Sequence, residues 1–165
     1  MRNDWNGKKK AITFSYDDGV VEDKRLIEIF DYYGLKGTFN LNSELFGRDD
    51  ILVREGVSFH HKRWEINQIR EIYENHEVAV HTLTHPNLTT VSDEEVVRQL
   101  VEDQKNLAEL TGKKIYGMAY PGGGVNCSEH VADLVRDYTD LSYARTTIST
   151  YNFDIPGNLL LWQPT

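Results

Sequence analysis

Hydrophobic positions along the chain alternate between two periods. "AITFSY" (11–16) is a short apolar and aromatic run of strand character. "VEDKRLIEIFDYYG" (21–34) then places apolar residues at helical spacing and closes on Gly34. "KGTFNLN" (36–42) reads as a second strand, and a polar loop containing Gly47 and Gly56 leads to a helix expected around Trp64 to Asn75. "EVAVH" (77–81) is a third strand. "SDEEVVRQLVEDQKNLAELTG" (92–112) is the clearest helix, with Ser92 and Glu95 in capping-box spacing and Gly112 as its stop. "KIYGMAY" (114–120) is a fourth strand, Ser128 to Tyr138 another helix, and "LSYARTT" (141–147) and "NLLLW" (158–162) further strands.

This β-α order predicts an α/β domain with a parallel sheet, open or closed into a barrel. No internal repeat, low-complexity tract or linker interrupts it, so residues 1–165 read as one domain. A chain of this length buries roughly 70% of its unfolded surface and needs no disulfide to fold. The lone Cys127 could supply no internal disulfide in any case.

Eighteen Lys and Arg stand against 26 Asp and Glu, a formal net charge of −8. That balance disfavours nucleic acid and anionic membrane as partners and suits neutral ligands such as sugars. Met1 to Lys10 lacks the apolar segment of a signal peptide, and no run approaches the ~20 apolar residues of a membrane span. A cytoplasmic location is expected on that basis. "LLLWQPT" ends as a strand with no helix to cover it, so Leu159 to Trp162 are expected to be partly bare and to favour a homodimer.

The chemistry-bearing residues gather at the C-terminal ends of successive strands, the edge where parallel α/β folds bind ligands. Asp17 and Asp18 end the first strand, His81 ends the third with His85 following in "HTLTHP", and Tyr120, Pro121 and three glycines follow the fourth. Adjacent carboxylates repel, and a divalent ion gives the pair a purpose: one carboxylate on the metal, the other free to act as a base. Alternation in "EVAVH" puts the small Ala79 on the same side as His81, leaving room beside the imidazole. Two neutral imidazoles and one carboxylate suit zinc and leave positions open for water and substrate. His60 and His61 fall in the polar loop, His76 caps the helix before the third strand and His130 lies in a helix, so all four read as surface histidines. Trp5 and Tyr16 read as packing, and Trp162 as a candidate for lining the site. Cys127 has no partner His to mark it as a nucleophile.

"SYDDG", "HTLTHP" and "AYPGG" together resemble, in order and spacing, the first three motifs of the polysaccharide deacetylase family (carbohydrate esterase family 4). The resemblance runs from Ala11 to Gly124. It implies a distorted β/α barrel and the metal-dependent removal of acetyl groups from N- or O-acetylated carbohydrate. It further implies that Asp17 is the general base and that Asp18, His81 and His85 bind one divalent ion. Zinc comes first, with cobalt, manganese or nickel as alternatives. Thr82 would hold the loop between the histidines by hydrogen bonding, and the backbone N–H of Gly122, after Tyr120 and Pro121, would donate to the oxyanion.

This chain departs from the family pattern in several places. The family's third motif has an Arg two residues before the Pro, holding the base, and an aromatic residue just after it; here those positions are Ala119 and Gly122. Asp154 and Trp162 are a loose candidate for the fourth motif. The last motif, a Leu-x-His whose His is the general acid, is absent, which leaves the expected barrel one or two units short. A degenerate member that binds metal without catalysis is therefore the main alternative. A phosphoacceptor receiver domain would need an Asp where His81 stands and a Lys near Arg145.

Overall fold

The computed structural model describes residues 7–8 and 10–165, so Trp5 lies outside the described residues. Five short strands form one parallel sheet: β1 (Ser15–Asp17), β2 (Thr38–Leu41), β5 (Glu77–Val80), β6 (Gly117–Ala119) and β7 (Tyr143–Arg145), in that spatial order. Between β2 and β5 the chain inserts an antiparallel hairpin, β3 (Asp49–Arg54) and β4 (Val57–Lys62). The helices are α1 (Asp23–Tyr33), the four-residue α2 (Ile69–Ile72), α3 (Asp93–Thr111) and α4 (Glu129–Tyr138).

In-register pairing gives the sheet two unlike faces. Asp17 lies opposite Asn40 and Asn40 opposite Ala79, while Ala119 lies opposite Arg145, so these residues share a face. The other face carries Phe39, Leu41, Val78, Val80, Met118 and Ala144, all buried in the core together with Leu100 and Leu107 of α3 and Val131 and Val135 of α4. A flat sheet would hold β1 and β7 roughly 19 Å apart across four inter-strand spacings. Instead Arg145 Nε donates to Ser15 Oγ at 2.9 Å. The sheet therefore curls until its first and last strands meet through their side chains, as an incomplete distorted β/α barrel does.

Helix ends follow the sequence signals. Ser92 Oγ accepts from the Glu95 N–H, Ser128 Oγ accepts from the Val131 N–H, and Gly34 and Gly112 close α1 and α3 in the left-handed conformation. The Glu95 carboxylate itself turns to Arg98 and Gln99. Tyr16 packs as expected, stacked on Phe39.

Three segments differ from the sequence reading. The loop around Gly56 is the hairpin β3–β4, turned by Glu55 and Gly56 at φ 51° and 78°, the paired left-handed geometry of a tight two-residue turn. The helix expected over Trp64 to Asn75 shrinks to a 3₁₀ turn at Ile66–Gln68 and the four residues of α2, in which only Ile69 is buried. Ile69, Ile72 and Tyr73 still pack into the core from this short helix and its C-cap. "NLLLW" is a 3₁₀ turn over Leu159–Leu161, because Asn158 Oδ1 accepts from the Leu160 N–H and bends the backbone. Trp162 alone bridges to β7, Leu160 is buried and Leu159 stays exposed.

Candidate metal and hydrolytic site

Asp17 is the last residue of β1, and at Asp18 the backbone turns left-handed (φ 77°), followed by Gly19 at φ 67°. A Cβ on Gly19 would stand 2.8 Å from Leu41 Cδ2, so this turn needs glycine for both conformation and space. The Asp18 N–H donates to the Asn40 carbonyl at 3.0 Å, which locks the turn to β2. The two neighbouring carboxylates thereby point into different surroundings.

Asp18 Oδ1 faces His85 Nε2 at 3.6 Å and His81 Nε2 at 3.9 Å. Ligand atoms of Asp18, His81 and His85 all lie within 4.8 Å of one another, close enough to share one ion. Asp18 Oδ1 is buried without a hydrogen-bond partner, a costly condition that a cation would relieve. His81 Nδ1 lies 2.8 Å from the Ala119 carbonyl; donating its N–H there leaves Nε2 as the lone-pair nitrogen facing Asp18. Burial, and next the neighbouring His81, hold the His85 imidazole below its ordinary pKa, the neutral form a metal requires. The residues present therefore fit a divalent ion.

The turn carrying the histidines is strained in a specific way. Among the described residues, five non-glycine positions have positive φ, and three of them are Asp18, Thr82 and His85. Thr82 is β-branched and fully buried, so its φ of 67° persists only because its neighbours impose it. Thr82 Oγ1 accepts from the His85 N–H at 3.1 Å, and the Asn42 amide donates to the carbonyls of both His81 and Thr82. The enclosed carboxylate of Asp103, on α3, accepts from the His81 N–H at 3.2 Å and the Ser43 N–H at 2.8 Å. Asn42 and Asp103 escaped the sequence reading because their partners are backbone groups, which leave no pattern in the sequence.

Asp17 sits among donors. Asn40 Nδ2 donates to its Oδ1 at 2.9 Å, and an Arg145 guanidinium nitrogen binds the same oxygen. Burial by itself would raise the Asp17 pKa, but His81, Arg145 and these hydrogen bonds outweigh it and hold the carboxyl below its ordinary range. It is an ionised carboxylate beside the prospective ion.

The loop after β6 is held from beneath. Asn126, buried, donates through Nδ2 to the carbonyls of Tyr120 (3.2 Å), Pro121 (3.1 Å) and Gly122 (3.1 Å). Tyr120 was expected among the substrate-binding residues. Its side chain is instead fully buried and donates to the Leu160 carbonyl at 2.9 Å, so only its backbone faces the loop. Trp162 lines a small cavity of about 60 Å³ with residues of the 150–156 segment. A cavity of about 430 Å³, lined by Ile12, Phe14, Lys36 and Glu77 among others, opens near the N-terminal ends of the strands and holds none of the site residues.

His61 and His76 differ from the surface role expected of them. Val20 bridges to Arg63 at the end of β4, and this brings His61 Nε2 to 3.2 Å from Asp18 Oδ2 and an Arg63 guanidinium nitrogen to 3.7 Å from Oδ1. His60, one residue away on the opposite face of β4, is exposed and pairs with Asp49. His130 is exposed against Asp93, and buried His76 Nδ1 accepts from the Gly37 N–H at 3.2 Å. Burial pushes the Cys127 thiol up, away from nucleophilic use.

A family model described as polysaccharide deacetylase matches residues 4–139. The chain belongs to the polysaccharide deacetylase family. It is 40% identical over 119 residues to the peptidoglycan-N-acetylglucosamine deacetylase PgdA of Listeria monocytogenes, a match covering 71% of this chain and 22% of that protein. The chain thus spans about a fifth of that curated relative. Among solved structures, BC0361, a polysaccharide deacetylase from Bacillus cereus, superposes with a TM-score of 0.75 at 19% identity, covering 96% of this chain and 48% of that one. The Streptococcus pyogenes deacetylase PplD, solved with acetate, gives 0.69 at 19% identity over 86% of this chain and 58% of that one. BA3943 of Bacillus anthracis, a pseudoenzyme of the same family, gives 0.62 at 22% identity over 82% and 43%. These structural likenesses establish the deacetylase fold. Among the described residues no helix is long and apolar enough to cross a membrane.

Proposed function

We propose that this chain is a metal-dependent hydrolase that removes acetyl groups from N- or O-acetylated carbohydrate. The supporting observation is the contrast between adjacent carboxylates: Asp18 presents an unsatisfied buried oxygen to two imidazoles, while Asp17 is held by Asn40 and Arg145. Asp18, His81 and His85 would hold the ion, zinc by the character of the donors. When bound, such an ion supplies Lewis-acid polarisation of water and of the acyl oxygen.

The protein's own groups do the rest. Asn40 and Arg145 both engage Asp17 Oδ1, leaving Oδ2 to accept the proton of the attacking water. The water oxygen adds to the acetyl carbonyl; as the bond to the sugar nitrogen or oxygen breaks, the leaving group takes up the proton that Asp17 has accepted, and acetate and the deacetylated sugar leave. The Gly122 N–H is the backbone donor assigned to the developing oxyanion, and one such donor is typically worth about 10²–10³ in rate. Asn126 keeps that loop in place although Gly122 lacks the aromatic side chain expected there.

The test pairs metal analysis of the purified protein with acetate release from a panel of N-acetylated and O-acetylated sugars. One equivalent of a divalent ion and chelator-sensitive release of acetate support the reading. A bound metal with no acetate from any substrate supports the second reading, a non-catalytic binding module, which the likeness to the BA3943 pseudoenzyme keeps open.

A further inference from the structure

In the parallel ladder between β6 and β7, Arg145 is the residue directly opposite Ala119. Ladder neighbours send their side chains to the same face, so a side chain from position 145 reaches the space that one from position 119 would. Ala119 supplies only a methyl group there. Arg145 supplies a guanidinium, and its contacts are specific: one terminal nitrogen on Asp17 Oδ1, Nε on Ser15 Oγ at 2.9 Å, and the other terminal nitrogen on the Thr146 carbonyl at 3.2 Å. Asn40 Nδ2 completes the cradle, donating to Ser15 Oγ at 2.8 Å and to Asp17 Oδ1 at 2.9 Å. Both donors to Asp17 converge on one oxygen from opposite strands. This fixes the rotation of the carboxylate about its Cβ–Cγ bond and aims Oδ2 away from the cradle.

We propose that Arg145, reaching across the curled sheet from β7, is the positioning residue for Asp17, filling from the adjacent strand the place that Ala119 leaves empty. The proposal rests on the reading of Asp17 as the base. Arg145 touches neither substrate nor ion; it acts through the orientation of Asp17 alone. A carboxylate free to rotate presents the wrong oxygen to the water for much of the time, and misplacement on the ångström scale costs about 10²-fold.

The bland alternative is that Arg145 is only a staple holding β7 to β1. Steady-state kinetics of Arg145→Gln, Arg145→Lys and Arg145→Ala, with metal content and melting temperature, separate the two. Positioning requires that Arg145→Gln lose at least tenfold in kcat with KM within about threefold of wild type and one metal equivalent retained. Arg145→Lys should regain part of that loss, because a single cationic donor can still reach Oδ1. Adding Arg145→Ala to Asp17→Asn should lower kcat no further than Asp17→Asn does alone. If Arg145→Ala does not fold, the Gln and Lys variants carry the test. A Gln variant within twofold of wild-type kcat overturns the proposal while leaving the hydrolase reading intact. So does a loss shared equally by kcat, metal content and melting temperature that Lys does not repair. A wild-type chain that releases no acetate from any substrate overturns the hydrolase reading, and this proposal with it.

Discussion

His61 Nε2 stands 3.2 Å from Oδ2 of Asp18, so the β3–β4 hairpin takes part in the site although it belongs to a separate two-stranded sheet. Asp18 meets His81 and His85 on one oxygen and His61 on the other. A ligand carboxylate oriented in this way binds metal better than a free one, and loss of such a partner typically costs 10–100-fold in metal affinity. His61→Ala is therefore expected to weaken metal binding about tenfold, measured by competition with a chromogenic chelator. His81→Ala and His85→Ala are expected to abolish stoichiometric binding. Full metal retention in both of the latter would place the site elsewhere.

The two aspartates should separate cleanly. Asp17→Asn is expected to keep one metal equivalent and lose hydrolysis by at least 10²-fold, because an amide cannot take the proton. Asp18→Asn is expected to lose the metal itself, since the orphaned Oδ1 is the atom aimed at both imidazoles. Equal metal loss in both variants would mean that Asp17 is also a ligand.

Asn126→Ala tests the loop that carries Gly122. The substitution leaves the carbonyls of Tyr120, Pro121 and Gly122 without their common donor. Unsatisfied buried groups cost about 1–3 kcal/mol, so a fall in melting temperature is expected. Part of the oxyanion contribution should go with it, a loss of about tenfold in kcat at unchanged metal content. An unaltered kcat in a destabilised Asn126→Ala would remove the loop backbone from the mechanism.

Asp23, buried on α1, predicts how stability changes with pH. Burial pushes its carboxyl up to about 7, although the Tyr73 hydroxyl donates to its Oδ2 at 2.6 Å. The folded chain therefore holds an extra proton between the ordinary carboxylate range and about pH 7. The resulting stability is complete below about pH 4 and is lost as pH rises through 7. Asp23→Asn, which can still accept from Tyr73, should flatten the fall in melting temperature between pH 5 and 8. Each kcal/mol corresponds to about 2–4 °C for a chain of this size. Asp103, also pushed to about 7 by burial, adds a slope of the same sign, so the variant removes only the Asp23 share. An unchanged slope would show that Asp23 is ionised in the folded state.

The strands that form the sheet, the long helix over 93–111 and the Asp-Asp and His-x-x-x-His pairs at strand ends are all legible in the sequence, because each is set locally. Period-2 and period-3.6 patterns report burial within one element, and caps such as Ser92, Ser128 and Gly112 act within one turn. The hairpin was not legible because one face is exposed and the other only half-buried, so neither "DDILVR" nor "VSFHHK" carries an alternation of fully buried positions. The shortening of the helix after Trp64 and the turn at Leu159–Leu161 likewise depended on what packs against them. The sequence by itself determined which residue types could bind a metal and in what order the strands bear them. Only the tertiary structure decided that β7 curls back to β1, which brings Arg145 across 128 positions to Asp17, and that the hairpin carries His61 to Asp18. Sheet curvature and hairpin docking arise from packing between elements far apart in the chain, and no local window of sequence contains that information.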